Sequence, residues 1–316
     1  MSAATTDPPP GKPPVSRRTL LGAVLLATAG LAAVGIPTVT QLLASSGSSG
    51  SSPQPPLFAR RGGTLLSPLL TSRPFSIAHR GGSDDWPEMS LYAYTQSVKL
   101  GINALEISLA RTSDGVWFGL HDESLDRTSG TSGFIASEHS WAAVNRHRIS
   151  PVVGKNGQTA QPYLRFTDLL TAFGDTHVIF VDPKFVSPRY LPELLGIMAR
   201  GVTHPTQTFV AKSLGSDENW GALARSAGYR TFGFYYASRG DANLDNLAAT
   251  HHNWDLLGMQ FDGGAEAWAA ARSFGKPVIG HIVADRAAAQ LALGNGAVGV
   301  IASGVAEVLP APTVKK

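Results

Sequence analysis

Apolar runs and amphipathic stretches alternate along the chain from residue 75 onward. Nine runs have the length and near-continuous apolar character of buried strands, and they are residues 75–79, 104–110, 116–121, 177–183, 208–214, 230–237, 256–262, 277–283 and 298–303. Helix-like stretches lie between most of them, such as 91–100, 165–173, 191–198 and 219–227. Strands of this kind alternating with helices predict a parallel sheet covered by helices. The pattern therefore predicts the α/β class and a (β/α)8 TIM barrel over residues 75–310.

The third run is the one that does not fit a parallel barrel. Only Thr112-Ser113-Asp114-Gly115 separates it from the second run, which leaves no room for a crossover helix. Asp-Gly between apolar runs predicts a hairpin whose paired residue numbers sum to about 227. The third run is then antiparallel and outside the barrel count. The hairpin brings His121 back beside Glu106.

Residues 123–161 lack strong periodicity, and Trp141 is their one apolar anchor. A long segment of this kind at the end of a barrel is usually a lid or a substrate-facing loop. We therefore predict a β-hairpin and a loop insertion at the C-terminal face of the barrel.

The first 74 residues precede the predicted barrel. Ser16-Arg17-Arg18-Thr19-Leu20-Leu21 opens an apolar run that ends at Ile36, and it resembles a twin-arginine export signal. We predict that residues 1–44 engage the export machinery and that residues 45–74 form a flexible Ser/Gly/Pro tether and lead-in. A permanent N-terminal membrane anchor is the alternative. The predicted location is outside the cytoplasm, either secreted or held at the outer face of the membrane.

Composition excludes several kinds of site. The 316 residues contain no cysteine, which rules out disulfides, thiolate metal sites and a cysteine nucleophile. The formal net charge is +3, and +2 of it falls in residues 1–56, so the rest of the chain is nearly neutral. Nothing in this balance indicates a nucleic-acid-binding face.

Polar side chains interrupt the apolar runs near their carboxyl ends. Six of them fall on the first three predicted barrel strands, and they are His79, Arg80, Glu106, Ser108, Asp182 and Lys184. A polar group buried in such a strand is costly unless it has partners. Because active sites of TIM barrels lie at the carboxyl ends of the strands, we expect these side chains to converge on one site.

The order and spacing of these residues resemble those of the glycerophosphodiester phosphodiesterase family, within the PLC-like phosphodiesterase TIM-barrel superfamily. The motif elements are, in order, His79-Arg80-Gly81, Pro87-Glu88, Glu106, Asp114-Gly115, His121-Asp122, Leu125 and Arg127-Thr128. Several linked motifs at the right spacing are a stronger signal than any one of them alone. The resemblance is good over residues 75–128 and looser over 160–305.

The resemblance implies an exported, metal-dependent phosphodiester hydrolase. Its substrates would be glycerophosphodiesters or related envelope- or lipid-derived phosphodiesters. It implies that His79 and His121 are the acid and base, with the assignment between them left open. Arg80 and Lys184 would bind the phosphate. Glu88 is expected at the start of a helix, where it supports catalysis by orienting Arg80.

The resemblance also implies one divalent cation. In the family, the equivalents of Glu106, Ser108 and Asp182 are carboxylates that hold it, and hard oxygen ligands select Ca²⁺ or Mg²⁺. Here Ser108 replaces an Asp, so one carboxylate is missing. Residues that could supply the missing oxygen are Asp84, Asp85, Asp122 and Asp262.

Two other functions stay open at this stage. The first is a non-catalytic phosphate- or envelope-binding relative with a metal site that has degenerated at Ser108. The second is a lipid phosphodiesterase like sphingomyelinase D, which has a strand comparable to Asp182-Pro183-Lys184. His281 is equally compatible with a substrate contact and a structural role, and Tyr235 and Tyr236 are expected to pack rather than line the site.

Overall fold

The computed structural model describes residues 56–58, 65–72, 74–237 and 243–309. The predicted export segment 1–44 and most of the predicted tether 45–74 lie outside these residues. Within these ranges, no helix has both the length and the apolar character needed to span a membrane.

Strands and helices alternate along the described chain as the hydrophobic pattern predicts. The strands are β1 Phe75–Ala78, β2 Ala104–Arg111, β3 Trp117–Gly119, β4 Arg148–Ile149, β5 Gln161–Pro162, β6 Val178–Pro183, β7 Phe209–Leu214, β8 Arg230–Tyr235, β9 Leu256–Gln260, β10 Val278–Val283 and β11 Gly299–Ala302. The helices are α1 Leu66–Thr71, α2 Leu91–Lys99, α3 Asp126–Ser129, α4 Trp141–Val144, α5 Phe166–Phe173, α6 Leu191–Gly201, α7 Pro205–Thr208, α8 Glu218–Ser226, α9 Leu244–Thr250, α10 Gly264–Ser273, α11 Arg286–Gly294 and α12 Val305–Val308. Short 3₁₀ turns include His79–Gly81 and Pro188–Tyr190.

Eight of the strands close into a parallel barrel. Their order is β1-β11-β10-β9-β8-β7-β6-β2, and β2 returns to pair with β1. Ile77 lies opposite Ile301 on one side and Ala104 on the other, which completes the ring. The predicted (β/α)8 TIM barrel is confirmed.

The hairpin predicted at Asp114-Gly115 is present. β3 pairs antiparallel with β2, and Leu109 lies opposite Gly119. The paired residue numbers, 109 and 119, therefore sum to 228, one more than the predicted 227. The backbone N–H of Leu120 donates to the carbonyl of Ser108 at 3.0 Å and extends the pairing towards the carboxyl end of the barrel. This extension delivers His121 to the same end of the barrel as the first strand.

Side-chain alternation on the barrel strands separates an outer apolar layer from the interior. On β2, Leu105, Ile107 and Leu109 belong to the core between the strands and the helices, whereas Ala104 belongs to the cluster inside the barrel. The interior cluster also contains Phe180, Val210 and Phe232, and the rings of Phe180 and Phe232 meet edge to face at 5.6 Å. Two residues further along β2, β6 and β7, the interior positions are the polar residues Glu106, Asp182 and Lys212. The barrel therefore has an apolar floor beneath a polar layer.

The insertion 123–161 packs against the hairpin around a small, separate core. Trp141 packs its ring 5.6 Å from Phe118, which also contacts Tyr163 at 5.8 Å, so the predicted apolar anchor is buried. Lys155 forms an ion pair with Asp85 at 3.3 Å, and this links the insertion to the loop that follows β1. A lid role for the insertion stays a prediction.

One predicted boundary is wrong. The sequence placed Glu88 at the start of a helix, but α2 begins at Leu91, and the hydroxyl of Ser90 caps it by accepting from the Ala93 N–H at 3.0 Å. Met89 has φ 54°, which is incompatible with a helix running through it. Glu88 therefore lies in the irregular loop before the helix, where its carboxylate can face other side chains.

Candidate active site

One cavity of about 360 Å³ opens at the carboxyl ends of the barrel strands. Its polar lining residues are His79, Arg80, His121, Lys184, Lys212 and His281. Four of these were predicted from the sequence as catalytic or phosphate-binding residues, and they come from the ends of β1, the hairpin and β6. The fold thus brings these four distant positions to one pocket.

The turn after β1 sets the position of Arg80. Arg80 has φ 51°, and Gly81 and Gly82 follow at 80° and 94°. A non-glycine residue in the left-handed region costs about 1–3 kcal/mol. A Cβ at Gly82 would lie 2.9 Å from the ring of Trp86, so glycine is required there. This backbone directs the N–H of Arg80 to Glu106 Oε2 at 2.8 Å.

The guanidinium of Arg80 is oriented by Glu88 and left with a free donor. Its Nη1 lies 3.4 Å from Glu88 Oε2, and Arg127 holds the same carboxylate with two hydrogen bonds of 2.7 and 3.0 Å. Arg80 Nε is buried and has no hydrogen-bond partner among the described residues. Because an unpaired buried donor costs about 1–3 kcal/mol, this position favours an anionic ligand.

The two histidines differ in their neighbours. His79 is buried, and its Nδ1 lies 3.4 Å from the Ser83 hydroxyl. His121 Nδ1 donates to Asp122 Oδ1 at 2.8 Å. Burial, followed by the charge of Arg80, lowers the pKa of both imidazoles, and Asp122 opposes the lowering only at His121. His79 is therefore neutral near pH 7 and able to accept a proton, whereas Asp122 favours the protonated form of His121.

The three predicted metal ligands lie together beneath the pocket. Ser108 and Asp182 are directly opposite each other on neighbouring strands, and Ser108 Oγ lies 3.4 Å from Glu106 Oε1. All three side chains are essentially fully buried. An ammonium group occupies the space between the two carboxylates, since Lys212 Nζ lies 3.1 Å from Glu106 Oε1 and 2.5 Å from Asp182 Oδ2.

A second lysine completes this buried cluster. Lys184 Nζ lies 2.9 Å from Asp182 Oδ2. Burial alone would raise the pKa of the Glu106 and Asp182 carboxyls, but the lysines outweigh it and lower both. Burial likewise would lower the pKa of Lys212, but Asp182 and Glu106 outweigh it and raise it. Glu106, Asp182 and Lys212 are therefore charged in the folded protein.

Members of the family depend on a divalent metal ion, but the donor set here does not fit one. In the described part of the chain, no group of three or more His, Asp or Glu side chains is arranged to hold a metal. The oxygens of Glu106 and Asp182 that face each other already accept from Lys212. A Ca²⁺ site needs six to eight oxygen ligands, and Mg²⁺ needs a near-ideal octahedron.

The other oxygen donors considered from the sequence are engaged elsewhere. They pair as follows: Asp84 with the Ser303 hydroxyl, Asp85 with Lys155 and the Ala306 N–H, Asp122 with His121 and Arg127, and Asp262 with the Gln260 amide. None of them joins the cluster of Glu106 and Asp182. The predicted Ca²⁺ or Mg²⁺ therefore gains no support from these residues.

His281 and the two tyrosines divide between packing and the pocket wall. His281 Nε2 donates to the Tyr235 carbonyl at 2.9 Å, and its ring packs at 5.2 Å from that of Tyr236. Tyr235 is fully buried, as predicted, whereas Tyr236 lines the pocket with His281. His281 is thus held by the backbone of β8 and also lines the pocket.

Lys212 is the functional residue that the sequence analysis missed. It interrupts the apolar run 208–214, and its side chain is only 8% exposed. The same rule that singled out Glu106 applies to it, because a charge buried in a strand needs a partner. A lysine in the middle of a predicted barrel strand therefore already indicated a buried charge with an oppositely charged partner.

Comparison with known proteins agrees with this fold. Residues 79–189 match the sequence model of the glycerophosphoryl diester phosphodiesterase family. The glycerophosphodiester phosphodiesterase of Bacillus subtilis is 35% identical over 91 residues, which are 29% of this chain and 30% of that protein. Glycerophosphodiester phosphodiesterase 1 of Rattus norvegicus is 44% identical over 78 residues, or 25% and 23% of the two chains. The match thus spans less than a third of the length of these relatives.

Solved structures share the barrel at low sequence identity. An Oleispira antarctica phosphodiesterase in complex with the product sn-glycerol-3-phosphate has a TM-score of 0.62 and 16% identity, over 75% of this chain and 96% of that one. A Silicibacter pomeroyi protein described as a glycerophosphoryl diester phosphodiesterase has a TM-score of 0.60 and 17% identity, over 74% and 91%. The fold is that of these barrels, and the matched stretch 79–189, which begins at His79, is similar to the glycerophosphodiester phosphodiesterase family.

Proposed function

We propose that this protein is a phosphodiester hydrolase that cleaves glycerophosphodiesters or related envelope- or lipid-derived phosphodiesters by histidine acid–base catalysis. The observation that carries the proposal is the convergence of His79, His121, Arg80 and Lys184 on one pocket. The similarity of residues 79–189 to the glycerophosphoryl diester phosphodiesterase family supports the same reaction class.

Binding begins with the phosphate. The unpaired Nε of Arg80 and the ammonium of Lys184 offer positive charge to a phosphodiester in the pocket. Glu88 and Arg127 hold the Arg80 guanidinium in place, so little reorganisation is needed when the anion arrives. Glu88 therefore acts as a positioning residue, in agreement with its predicted supporting role.

The chemical step needs one proton acceptor and one proton donor. One histidine takes the proton of the attacking oxygen, which bonds to the phosphorus. The attacking oxygen belongs either to a substrate hydroxyl beside the phosphate or to a water molecule. The P–O bond to the leaving group then breaks, and the other histidine gives a proton to the departing alkoxide. Asp122 stabilises a protonated His121, which makes His121 the better candidate for the donor.

The pocket and the relatives favour a small phosphodiester head group. Six of the ten residues that line the pocket are Lys, Arg or His, which suits a phosphate head group rather than an acyl chain. The Oleispira antarctica phosphodiesterase was solved with sn-glycerol-3-phosphate, a product that contains one phosphate and one glycerol. We therefore place glycerophosphodiesters ahead of intact lipids such as sphingomyelin.

The test is turnover by the full-length protein on a panel of phosphodiesters, with His79→Ala and His121→Ala alongside. Glycerophosphodiesters should be cleaved, and each variant should lose about 10²–10⁴-fold in rate, the usual contribution of proton transfer. His139→Ala is the matched control, because His139 lies in the insertion and is not a pocket residue. Near-wild-type rates in both variants would refute the assignment. Phosphate binding without turnover would favour the non-catalytic relative, and cleavage of sphingomyelin alone would favour the lipid enzyme.

We also propose that residues 1–44 direct the protein out of the cytoplasm. The support is the sequence alone, in which Arg17 and Arg18 precede a mildly apolar run. An extracytoplasmic location suits an enzyme that acts on envelope phosphodiesters. After export, the segment is either cleaved or retained as a membrane tether.

A further inference from the structure

We infer that the ammonium of Lys212 takes the place of a bound divalent cation in this protein, so that the site works with a cation built into the chain. The inference deepens the proposed phosphodiesterase function and rests on it. The motifs that carry the resemblance to the family run from His79 to Thr128, and the matched family model ends at residue 189. Neither assigns a role to Lys212.

The geometry puts a single positive charge where two buried carboxylates converge. Lys212 Nζ contacts Glu106 Oε1 at 3.1 Å and Asp182 Oδ2 at 2.5 Å. The adjacency follows from the barrel, because β7 pairs with β6 and sets Ala211 opposite Val181, one residue before each charged side chain. The face of Phe234 lies 4.6 Å from the same Nζ, which adds a cation–π contact on a third side.

The charges of the cluster are already balanced without a metal. Glu106 and Asp182 carry two negative charges, and Lys212 and Lys184 carry two positive ones, at contact distances of 2.5 to 3.1 Å. A divalent cation added among them would leave two unbalanced positive charges in a buried site, which is strongly unfavourable. Ser108, a neutral residue beside Glu106, fits a cluster that holds a monovalent cation.

Lys212 also reaches the ligand space. Its side chain lines the pocket with His79, Arg80 and Lys184. An ammonium has three N–H donors, and the two carboxylates engage two of them, so the third can be offered to a phosphate oxygen. Lys212 thus provides what a cation would supply in this place, a fixed positive charge for the phosphate, held by the same carboxylates that would otherwise bind metal.

The first test is a calorimetric titration of the chelator-treated, full-length protein with Ca²⁺ and, separately, Mg²⁺. We expect no stoichiometric binding at concentrations up to about 1 mM, the range of the weakest calcium modules. Hydrolysis of a glycerophosphodiester should be the same before and after chelator. Stoichiometric binding of either ion would overturn the inference. So would activity that is lost on treatment with chelator and restored when the ion is added back.

The second test compares Lys212→Met with wild type for binding of sn-glycerol 3-phosphate, with Lys99→Met as the control. Lys99 is exposed at the end of α2 and does not line the pocket. Loss of the Lys212 charge should weaken product binding at least tenfold and lower the turnover rate by about 10²-fold, the typical effect of removing one preorganised donor. Unchanged product affinity in a folded Lys212→Met protein would contradict the inference.

These readouts separate this inference from the proposed function. The cation titration uses wild type, so it stands even where Lys212→Met fails to fold. A wild-type protein that turns over no phosphodiester would sink the proposed function, whereas cation and product titrations would still report on Lys212. A metal-bound, active wild type would sink the Lys212 inference and leave the function intact.

Discussion

Replacing Glu106 by Gln removes one charge from the buried cluster with almost no change in volume. The carboxylate is fully buried and lies 3.1 Å from Lys212 Nζ. Two unit charges at that separation attract by about 5 kcal/mol at an effective dielectric constant of about 20. Breaking a buried pair by removing one partner costs about 3–5 kcal/mol, because the other charge is left uncompensated. Lys212 keeps Asp182, so we expect the lower end, about 3 kcal/mol.

The assay is reversible denaturant unfolding of wild type and Glu106→Gln at pH 7, with thermal unfolding in parallel. For a domain of this size, a loss of about 3 kcal/mol lowers the midpoint of thermal unfolding by about 6–12 °C. Glu138→Gln is the matched control, because Glu138 is an exposed residue of the insertion. Its free energy of unfolding should stay within about 0.5 kcal/mol of wild type.

The pH dependence of the difference in free energy of unfolding tests whether the charge of Glu106 causes it. Burial would raise the pKa of Glu106, but Lys212 and Arg80 outweigh it, so the folded-state pKa is below the ordinary value of 4.5. The carboxylate therefore stabilises the fold fully above its unfolded-state pKa, and this stabilisation is lost as the pH falls through the lower folded-state pKa. The difference in free energy of unfolding between wild type and Glu106→Gln should therefore decrease in acid. A variant as stable as wild type at pH 7 would refute the reasoning, because it would mean that Lys212 carries no charge.

Two further predictions concern the proton pathway and export. Asp122→Asn removes the carboxylate that opposes the lowering of the His121 pKa, so the alkaline limb of the kcat/KM profile, which reports the proton donor, should move to lower pH. A pH–rate profile with an unmoved alkaline limb would contradict the pairing of Asp122 with a titrating His121. Replacing Arg17 and Arg18 by Lys should leave the protein in the cytoplasm, as measured by cell fractionation, whereas unchanged export would point to the general secretion route.

The barrel could be predicted because its information is local. Each strand is a short apolar run between polar turns, and Asp114-Gly115 marks the one place where the chain reverses without a helix. The motif order then predicted His79 and His121 as the acid and base, and both line the pocket. The start of α2 could not be read as easily, because Pro87 suggested an earlier start and only the left-handed backbone of Met89 delays it.

The cation cluster depended on information that is not local. Lys212 contacts Asp182 because β6 and β7 pair in one register, and it contacts Glu106 because β2 lies on the other side of β6. Strand register in a barrel is set by closure of the whole ring, so a single run such as 208–214 does not reveal it. The sequence therefore predicted the buried carboxylates and left their partner unassigned.

The most direct test of the active site is a crystal structure of the full-length protein with sn-glycerol 3-phosphate. The phosphate should lie in the pocket between His79 and His121, with an oxygen accepting a hydrogen bond from Arg80 Nε at about 2.7–3.0 Å. A phosphate bound instead in the separate cleft beside Arg111 and Arg189, with the pocket empty, would contradict the account.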